Sequence, residues 1–343
     1  MVIKVNQHKG VKFMKIIVIG GAGYIGSHAV KQLLENGDEV AVIDSLQTGH
    51  RESVPEHVPF YKVDIRDKEA LKAVFEKEKP DGVMHFAANS LVGESMTNPL
   101  KYYNNNVIGA VILLEVLVET GVKNIVFSST AATYGEVTVM PIQETTPTIP
   151  TNTYGETKLA IEKMLKWTHG AHDLNYVCLR YFNVAGADAS GTIGEAHTTE
   201  THLIPLILQV PLGQRPHITV FGTDYPTADG TCIRDYIHIT DLVDAHILAL
   251  RYLVNGGASD IFNLGSSTGY SVLEMIEAAR KVTGHPIPVE LGTRRAGDPA
   301  LLIASSDKAQ KVLGWQPRFT NIEDIIASAW KWHSTHPNGY KGE

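Results

Sequence analysis

A glycine-rich turn near the start of the chain places the strongest limit on its fold. A β-branched run at 15–20 leads into the heptapeptide Gly20–Gly26 (GGAGYIG), after which Ile25, Ala29 and Leu33 recur at four-residue spacing. This order predicts a strand, a tight turn and an amphipathic helix. Glycines let the backbone turn sharply, approach a bound anion closely and pack the helix near the strand. The turn therefore predicts a β-α-β unit with a phosphate group at the helix N-terminus.

Strand and helix patterns alternate along the first half of the chain. Such alternation predicts an α/β fold, a doubly wound parallel Rossmann-type sheet that binds its ligand at the carboxyl ends of the strands. After Tyr181 the sequence is richer in Gly, Pro and Thr, and its periodic segments are shorter. Strands are predicted at 15–20, 39–43, 60–63, 82–87, 124–128, 176–181, 234–239 and 260–264, and further helices at 67–79, 106–120, 154–169, 240–254, 271–283 and 321–334.

Three segments follow from this pattern. A dinucleotide-binding domain is expected over 14–183, joined by returning segments around 234–264. The remainder of 184–343 is expected to form a smaller α/β lobe that binds the substrate. Residues 1–13 are polar and basic and precede the first strand, so they are expected to be a disordered N-terminal extension or a tag remnant.

Composition narrows the class of partner. The formal net charge is −7, from 30 basic and 37 acidic residues without a block of like charges, so no nucleic acid partner is expected. No apolar run reaches the roughly 18 residues that span a bilayer, and no signal peptide is visible, which predicts a cytoplasmic protein without membrane contact.

Cys178 and Cys232 form no C-x-x-C pair and are expected to be reduced. The 15 histidines show no metal-ligand spacing, so no metal is expected.

An acidic residue completes the dinucleotide pattern. Asp44 ends the second strand, 24 residues after Gly20 (44 − 20). A carboxylate at this position can accept hydrogen bonds from both hydroxyls of an adenosine ribose and would repel a 2′-phosphate. The pattern favours NAD over NADP as cofactor, although Asp44 could instead only cap a loop.

A tyrosine and a lysine stand four residues apart at Tyr154 and Lys158, on one face of a predicted helix. Free tyrosine has a pKa near 10, and lowering it to near 7 takes about three units, or roughly 4 kcal/mol. The lysine and the positive ring of a nicotinamide are two cations that together could supply this stabilisation. Tyr154 could then take a proton from a substrate hydroxyl as hydride moves to the cofactor.

Hydroxyl residues end the fifth predicted strand, at the edge where the ligand should lie. Thr130 in the run Ser128-Ser129-Thr130 could hydrogen-bond the reacting oxygen. Ordinary turn chemistry at a strand end is the alternative reading of this run. The spacing of Tyr154 and Lys158 is common by chance. The glycine turn and Thr130 strengthen the interpretation that this pair is catalytic.

At this point the sequence resembles the UDP-glucose (UDP-galactose) 4-epimerases of the extended short-chain dehydrogenase/reductase family, from Met14 to about Tyr340. The matching motifs are Gly20–Gly26, 127–130, Tyr154–Lys158, 180–183, 102–107, 234–238 and 294–298. The resemblance implies that Tyr154, Lys158 and Thr130 are catalytic. It also implies an NAD site made of Gly20, Gly23, Tyr24, Ile25, Gly26, Asp44, Ser45, Leu46, Gln47, Thr48, Gly49, Asp64, Ile65, Phe86, Ala87, Ala88, Ser90, Asn106, Thr130, Tyr154, Lys158 and Phe182.

The resemblance further implies a UDP-sugar site in the smaller lobe. Thr219–Phe221 would cradle the uracil, Asn183, Arg234 and Arg295 would meet the phosphates, and Asp298 would contact the uridine ribose. For either arginine alone, a surface ion pair is the plainer interpretation. The substrate residues that the resemblance implies are Thr130, Tyr154, Asn183, His202, Leu203, Thr219, Val220, Phe221, Arg234, Arg295, Asp298 and Leu302.

In such an enzyme, hydride leaves C4 of the sugar for NAD, the 4-keto sugar rotates while its UDP stays anchored, and hydride returns to the other face. The resemblance also implies a homodimer with helices around 99–120 and 154–170 at the interface.

Three residues depart from the familiar pattern: Ser90 replaces a lysine, His202 an asparagine and Leu302 a bulky tyrosine. The smaller Leu302 predicts that UDP-N-acetylglucosamine and its galacto epimer are also substrates.

Other functions remain open at this stage. A sugar-nucleotide 4,6-dehydratase shares the fold but carries an Asp-Glu pair after the strand-end threonine, where this chain has Ala131 and Ala132. Without a titratable group at these positions, dehydration is disfavoured. A decarboxylating or uronate-specific relative is less easily excluded. The alternative from another class is a nucleotide-sensing Rossmann protein without catalysis, which the retained Tyr154 and Lys158 argue against.

Overall fold

The computed structural model describes residues 13–294 and 298–340; the expectation for 1–12 therefore lies outside the described residues. Fourteen strands are assigned there. They are β1 (Lys15–Ile19), β2 (Glu39–Asp44), β3 (Phe60–Lys62), β4 (Gly82–His85), β5 (Asn124–Ser128), β6 (Asn175–Tyr181), β7 (Asn183–Ala185), β8 (Ile218–Phe221), β9 (Ile233–Arg234), β10 (Tyr236–His238), β11 (Asp260–Leu264), β12 (Tyr270–Ser271), β13 (Val289–Gly292) and β14 (Leu301–Leu302).

Seven of these strands form one parallel sheet in the order β11-β6-β5-β4-β1-β2-β3. The order reverses at β1, which pairs with β2 on one side and with β4 on the other. Such a reversal opens a crevice at the carboxyl ends of the strands, where ligands of doubly wound sheets bind. The predicted Rossmann-type sheet is thus confirmed.

Helices connect and cover the strands. They are α1 (Tyr24–Glu35), α2 (Lys68–Glu78), α3 (Val92–Thr97), α4 (Pro99–Tyr102), α5 (Gly109–Thr120), α6 (Thr153–His172), α7 (Leu203–Leu208), α8 (Ile239–Val254), α9 (Val272–Thr283), α10 (Asp307–Leu313) and α11 (Ile322–Thr335), with 3-10 turns at Arg51–Ser53 and Ala131–Thr133 and a π-helical segment at Tyr103–Ile108. None of the helices among the described residues has the length and apolarity needed to cross a membrane.

Strand β1 shows how the sequence builds two cores. Ile16 and Val18 lie in one cluster of buried residues, which includes residues of α1 and α8. Ile17 and Ile19 lie in the other, with residues of α2, α5 and α6. Alternate side chains of a strand point to opposite faces of the sheet. A continuous apolar run therefore becomes a strand that is buried on both sides.

The smaller lobe has its own core, in which α7, α9 and α11 pack around β8. Its sheets are small: β8 pairs with β13, β7 with β10, and β9 with β12 and β14. The last third of the chain also returns to the main sheet. Strand β11 joins it at one edge, and Leu313 and Trp315 pack in the same cluster as α1.

The single strand predicted at 234–239 is wrong, because Asp235 separates β9 from β10. The buried Asp235 carboxylate accepts hydrogen bonds from the amides of Ser266 (2.7 Å) and Ala304 (3.0 Å). These contacts turn the chain between two different small sheets. The helix predicted at 106–120 also differs, because a π-helical segment precedes α5.

Replacing Gly26 with alanine should destabilise the protein, although alanine is normally the better helix residue. A Cβ at Gly26 would lie 2.0 Å from the carbonyl oxygen of Gly20, which is backbone and cannot swing away. We expect a loss of about 1–3 kcal/mol in the free energy of unfolding, measured by urea denaturation.

The matched control is Gly23→Ala, since a Cβ there meets nothing closer than 3.4 Å and the backbone is extended at φ −80°. Its stability should stay within about 0.5 kcal/mol of the parent. Equal effects of the two substitutions would contradict this account of the turn.

Candidate functional site

A cleft of about 940 Å³ lies at the carboxyl ends of the main-sheet strands, with the smaller lobe forming its other side. Gly20 follows β1, Asp44 ends β2 and Phe86 follows β4, and all three line it. Arg234 and Leu302 line it from the smaller lobe. The cleft therefore occupies the crevice that the reversal of strand order creates.

The glycine turn forms one end of the cleft. Gly20 has a φ of +79°, and a Cβ there would lie 2.6 Å from the amide nitrogen of Ala87. Gly23 is the N-cap of α1 and has no side chain to satisfy the first amides of the helix. These amides and the positive end of the helix dipole are therefore available to an anion. A dinucleotide pyrophosphate fits this arrangement.

Asp44 both organises the loop and faces the cleft. Its carboxylate accepts hydrogen bonds from the amides of Ala22 (2.9 Å) and Leu46 (2.8 Å). Burial raises the pKa of Asp44, and the two amide hydrogen bonds counter this. Each carboxylate oxygen can accept more than one hydrogen bond, so ribose hydroxyls can still bind. Loop capping and adenosine recognition are thus compatible in one residue.

Tyr154 stands in the first turn of α6. The side chain of Asn152 caps this helix by accepting from the amide of Gly155 at 2.8 Å. The Tyr154 amide donates to the hydroxyl of Ser95 at 3.1 Å, which ties the helix start to α3. Burial raises the pKa of Tyr154 to about 12, and a hydrogen bond with the Thr130 side chain only partly opposes this. Thr130 and Tyr154 both line the cleft, so the hydroxyl of Thr130 lies where it could hydrogen-bond a reacting oxygen.

Lys158 lies one turn further along α6 and is only 2% exposed. Its ammonium donates to the carbonyl of Ser128 at 2.8 Å and lies 5.8 Å from the centre of the Tyr154 ring. Burial lowers the pKa of Lys158 to about 7, against the nearby charge of Glu162. These side chains by themselves do not bring the Tyr154 pKa near 7. Lowering the pKa of Tyr154 to near 7 needs a second cation, which the positive ring of a bound nicotinamide would supply.

An ion pair behind the reacting groups was missed from the sequence. Glu162 is 3% exposed and accepts hydrogen bonds from the guanidinium of Arg180 and, at 2.5 Å, from the hydroxyl of Ser129. Glu162 follows Lys158 by four residues, so the two lie on one helix face, a spacing that could have revealed it. This pair fixes the strand end that carries Thr130 against α6.

Two expected cofactor residues do not line the cleft. Asn106 is buried in the π-helical segment, where its side chain bonds both backbone groups of Asn89 (2.8 and 3.0 Å) and the hydroxyl of Thr157 (3.1 Å). It therefore holds Asn89, which does line the cleft. Leu46 has a φ of +58° and packs against the main core. Both residues shape the site from behind.

The other expected cofactor residues all line the cleft, and so do six further residues that were expected to bind the substrate only. They are Gly20, Gly23, Tyr24, Ile25, Gly26, Asp44, Ser45, Gln47, Thr48, Gly49, Asp64, Ile65, Phe86, Ala87, Ala88, Ser90, Thr130, Tyr154, Lys158, Phe182, Asn183, His202, Leu203, Arg234, Asp298 and Leu302. Thr219, Val220 and Phe221 lie outside this lining, and the Val220 side chain is fully buried in the smaller core. Arg295 lies outside the described residues.

Arg234 and Asp298 form an ion pair at the wall of the cleft. Arg234 also donates to the carbonyl of Ile233 at 2.8 Å. An ion pair is therefore present, but it lies in the wall of the cleft, with the Arg234 side chain only 15% exposed, and not on the open surface. Since both side chains remain partly exposed to the cleft, they can also contact a ligand there.

The fold and this site define a class of protein. A Rossmann-type sheet, a glycine turn with an acidic residue at the next strand, and a Tyr-x-x-x-Lys pair beside a strand-end threonine form the site of a dinucleotide-dependent enzyme of the short-chain dehydrogenase type. The turn fits a pyrophosphate, and Asp44 fits a ribose without a 2′-phosphate.

Comparison with known proteins gives the family. The model of the NAD dependent epimerase/dehydratase family matches residues 16–265, more than half of the chain. The chain is 59% identical over 330 residues to the UDP-glucose 4-epimerase of Halalkalibacterium halodurans, covering 96% of this chain and 98% of that protein. This protein belongs to the NAD dependent epimerase/dehydratase family, and NAD is its cofactor.

Solved structures agree with this assignment. The UDP-glucose 4-epimerase of Bifidobacterium longum, in complex with NAD+ and UDP, has a TM-score of 0.89 and 38% identity, covering 95% of this chain and all of that one. The UDP-Glc/GlcNAc 4-epimerase of Campylobacter jejuni has a TM-score of 0.83 and 43% identity, covering 94% and 99% of the two chains.

Proposed function

We propose that this protein interconverts UDP-glucose and UDP-galactose by oxidising and re-reducing C4 of the sugar. The observation that carries the proposal is that Tyr154, Lys158 and Thr130 line the same NAD cleft, beside a strand end without an acid. The next two residues, Ala131 and Ala132, cannot protonate a leaving hydroxyl. The site is thus equipped for redox chemistry at a carbinol and not for dehydration.

Each side chain has a definite task in this proposal. Tyr154 accepts the proton of the C4 hydroxyl, and Thr130 orients the reacting oxygen by a hydrogen bond. Lys158 supplies positive charge, which favours the phenolate. NAD, when bound, supplies reversible acceptance of the C4 hydride. Because the hydride returns to C4 and the proton returns to the oxygen on C4, the reaction consumes no second substrate.

Inversion requires the keto sugar to turn while its nucleotide stays fixed. Asn183 and Arg234 line the cleft and suit phosphate oxygens, because amide and guanidinium groups donate hydrogen bonds to anions. For the uracil we retain Thr219–Phe221 as the binding segment. Phe221 is 38% exposed, whereas the Val220 side chain is buried, so Phe221 and the backbone would make the contact.

We further infer a homodimer in the cytoplasm. A groove of about 570 Å³ runs between α5 and α6, and Trp167 on its rim is 76% exposed. Val111, also in the groove, is 39% exposed. Apolar surface of this kind favours association, and these helices match the expected interface. Cys178 and Cys232 are not joined in a disulfide, which is consistent with a reducing compartment.

Replacing Tyr154 with phenylalanine should lower turnover of UDP-galactose by at least about 100-fold, because the proton acceptor is lost. NAD should still bind, since the turn and Asp44 are unchanged. Turnover is measured as formation of UDP-glucose, and bound NAD by extraction. Tyr176→Phe, which alters a tyrosine outside the cleft, is the matched control and should leave both values unchanged.

The same assay separates the competing functions. Formation of UDP-glucose from UDP-galactose by the parent protein supports the proposal, a 4-keto-6-deoxy product would indicate a dehydratase, and absence of turnover would indicate a sensor. Near-parental turnover by Tyr154→Phe would remove Tyr154 from the proton transfer.

A wider substrate range is a second proposal. Leu302 lines the cleft and packs against the small cluster of Ala131, Tyr134 and Ile142, where a tyrosine would fill more space. The Campylobacter jejuni relative is named for both UDP-Glc and GlcNAc activities. We therefore propose that UDP-N-acetylglucosamine and UDP-N-acetylgalactosamine are also interconverted.

Replacing Leu302 with tyrosine should reduce kcat/KM for the N-acetyl sugars selectively, by about tenfold or more, because the ring occupies space beside the 2-position. Both substrate pairs are assayed with each variant. Leu301→Tyr is the matched control, because Leu301 neighbours Leu302 in β14 but does not line the cleft. An unchanged ratio of the two activities in Leu302→Tyr would contradict the proposal.

A further inference from the structure

Two glutamates and two histidines converge on one point in the segment between β7 and α7. They follow the pattern E-x-H-x-x-E-x-H, as Glu195, His197, Glu200 and His202. One ligand atom from each lies within 4.8 Å of the ligand atoms of the other three. Histidine and cysteine spacing in the sequence does not indicate this cluster, because half of its members are glutamates.

The spacing of these atoms matches a metal coordination shell. The Nδ1 atom of His197 lies 3.3 Å from an oxygen of Glu195 and 3.3 Å from an oxygen of Glu200. The Nδ1 atom of His202 lies 3.7 Å from Glu200 and contacts Glu195 directly. Ligands about 2.1 Å from a tetrahedral ion are separated by about 3.4 Å. Small movements of two side chains would therefore suffice to surround an ion.

Charge and burial favour a cation at this point. The Glu195 side chain is only 4% exposed, and a buried carboxylate is costly unless a positive charge or hydrogen-bond donors compensate it. A divalent ion would neutralise the two carboxylates of Glu195 and Glu200 and leave the cluster without net charge. Two imidazoles and two carboxylates form a mixed nitrogen and oxygen set, which suits Zn²⁺ and is not the all-oxygen shell that Mg²⁺ and Ca²⁺ prefer.

The backbone of the segment is held independently of the four side chains. The ring of Trp332 donates to the carbonyl of Glu195 at 2.9 Å, and His50 contacts the carbonyl of Ala196 at 2.9 Å. The hydroxyl of Tyr340 donates to the carbonyl of Gly194 at 3.2 Å. These three contacts come from distant parts of the chain and anchor the backbone at residues 194–196, so that Glu195 is presented from a fixed backbone, as a metal site requires.

We propose that Glu195, His197, Glu200 and His202 bind one divalent transition-metal ion of the Zn²⁺ class. The ion would fasten the segment that leads into α7, where His197 and His202 also line the cleft. This role is structural and lies outside the redox chemistry at Tyr154. The same four side chains could instead be joined only through protons, and the experiment below distinguishes the two arrangements.

The test uses the full chain, freed of metal by a chelator that is then removed, and titrated with Co²⁺ and in competition with Zn²⁺. Tetrahedral Co²⁺ has characteristic visible absorption, which reports the site directly. The variants are His197→Gln and Glu200→Gln. The matched control is His217→Gln, since His217 pairs with a single carboxylate, Glu290, at 2.6 Å. Circular dichroism and thermal melting establish that each variant folds.

One Co²⁺ per chain should bind the parent, with tetrahedral absorption that Zn²⁺ displaces and with a rise in melting temperature. Affinity should fall by at least about tenfold in His197→Gln and in Glu200→Gln, and stay at the parental value in His217→Gln. Absence of saturable binding by the folded parent, which is the result for a proton-bridged cluster, would overturn the proposal. Binding that is equally tight in all variants would overturn it as well, because the ion would then lie elsewhere.

Discussion

The close approach of α1 to the end of β1 is the constraint on which the rest of the structure depends. A side chain at Gly26 would overlap the carbonyl of Gly20, so only glycine permits the helix to begin at this point. This start directs the first amides of α1 into the crevice between β1 and β4. The main-sheet side of the site lies along the same edge, from Asp44 at the end of β2 to Thr130 after β5. One steric requirement therefore determines where the cofactor and the chemistry can be.

Burial shifts the pKa values of the reacting groups, and the other side chains of the protein do not reverse these shifts. Desolvation raises the pKa of Tyr154 to about 12 and lowers that of Lys158 to about 7, which opposes an ion pair between them. The hydrogen bond from Thr130 and the ion pair of Glu162 with Arg180 hold these groups in position. Position is thus supplied by the protein, while part of the charge must arrive with the ligands.

Local patterns in the sequence predicted much of the fold and of the site, because these features depend on neighbours within a few residues. The apolar run of β1, the glycine turn, and the helical spacing of Tyr154 and Lys158 are all of this kind. Features that join distant residues could not be read in the same way. Asp235 divides a predicted strand through contacts with Ser266 and Ala304, and Arg234 pairs with Asp298. Tertiary contacts also place Asn106 behind the cleft, where its side chain holds the backbone of Asn89.

Hydride transfer at C4 is the central claim, and an isotope at that carbon tests it most directly. UDP-galactose carrying deuterium at C4 is converted in ordinary water, and the UDP-glucose formed is examined by mass spectrometry and NMR. Hydride held at an enclosed NAD site does not exchange with water, so deuterium should be retained at C4 of the product. Replacement of the deuterium by solvent hydrogen would contradict the account, because it would show that C4 is inverted through loss and return of a proton.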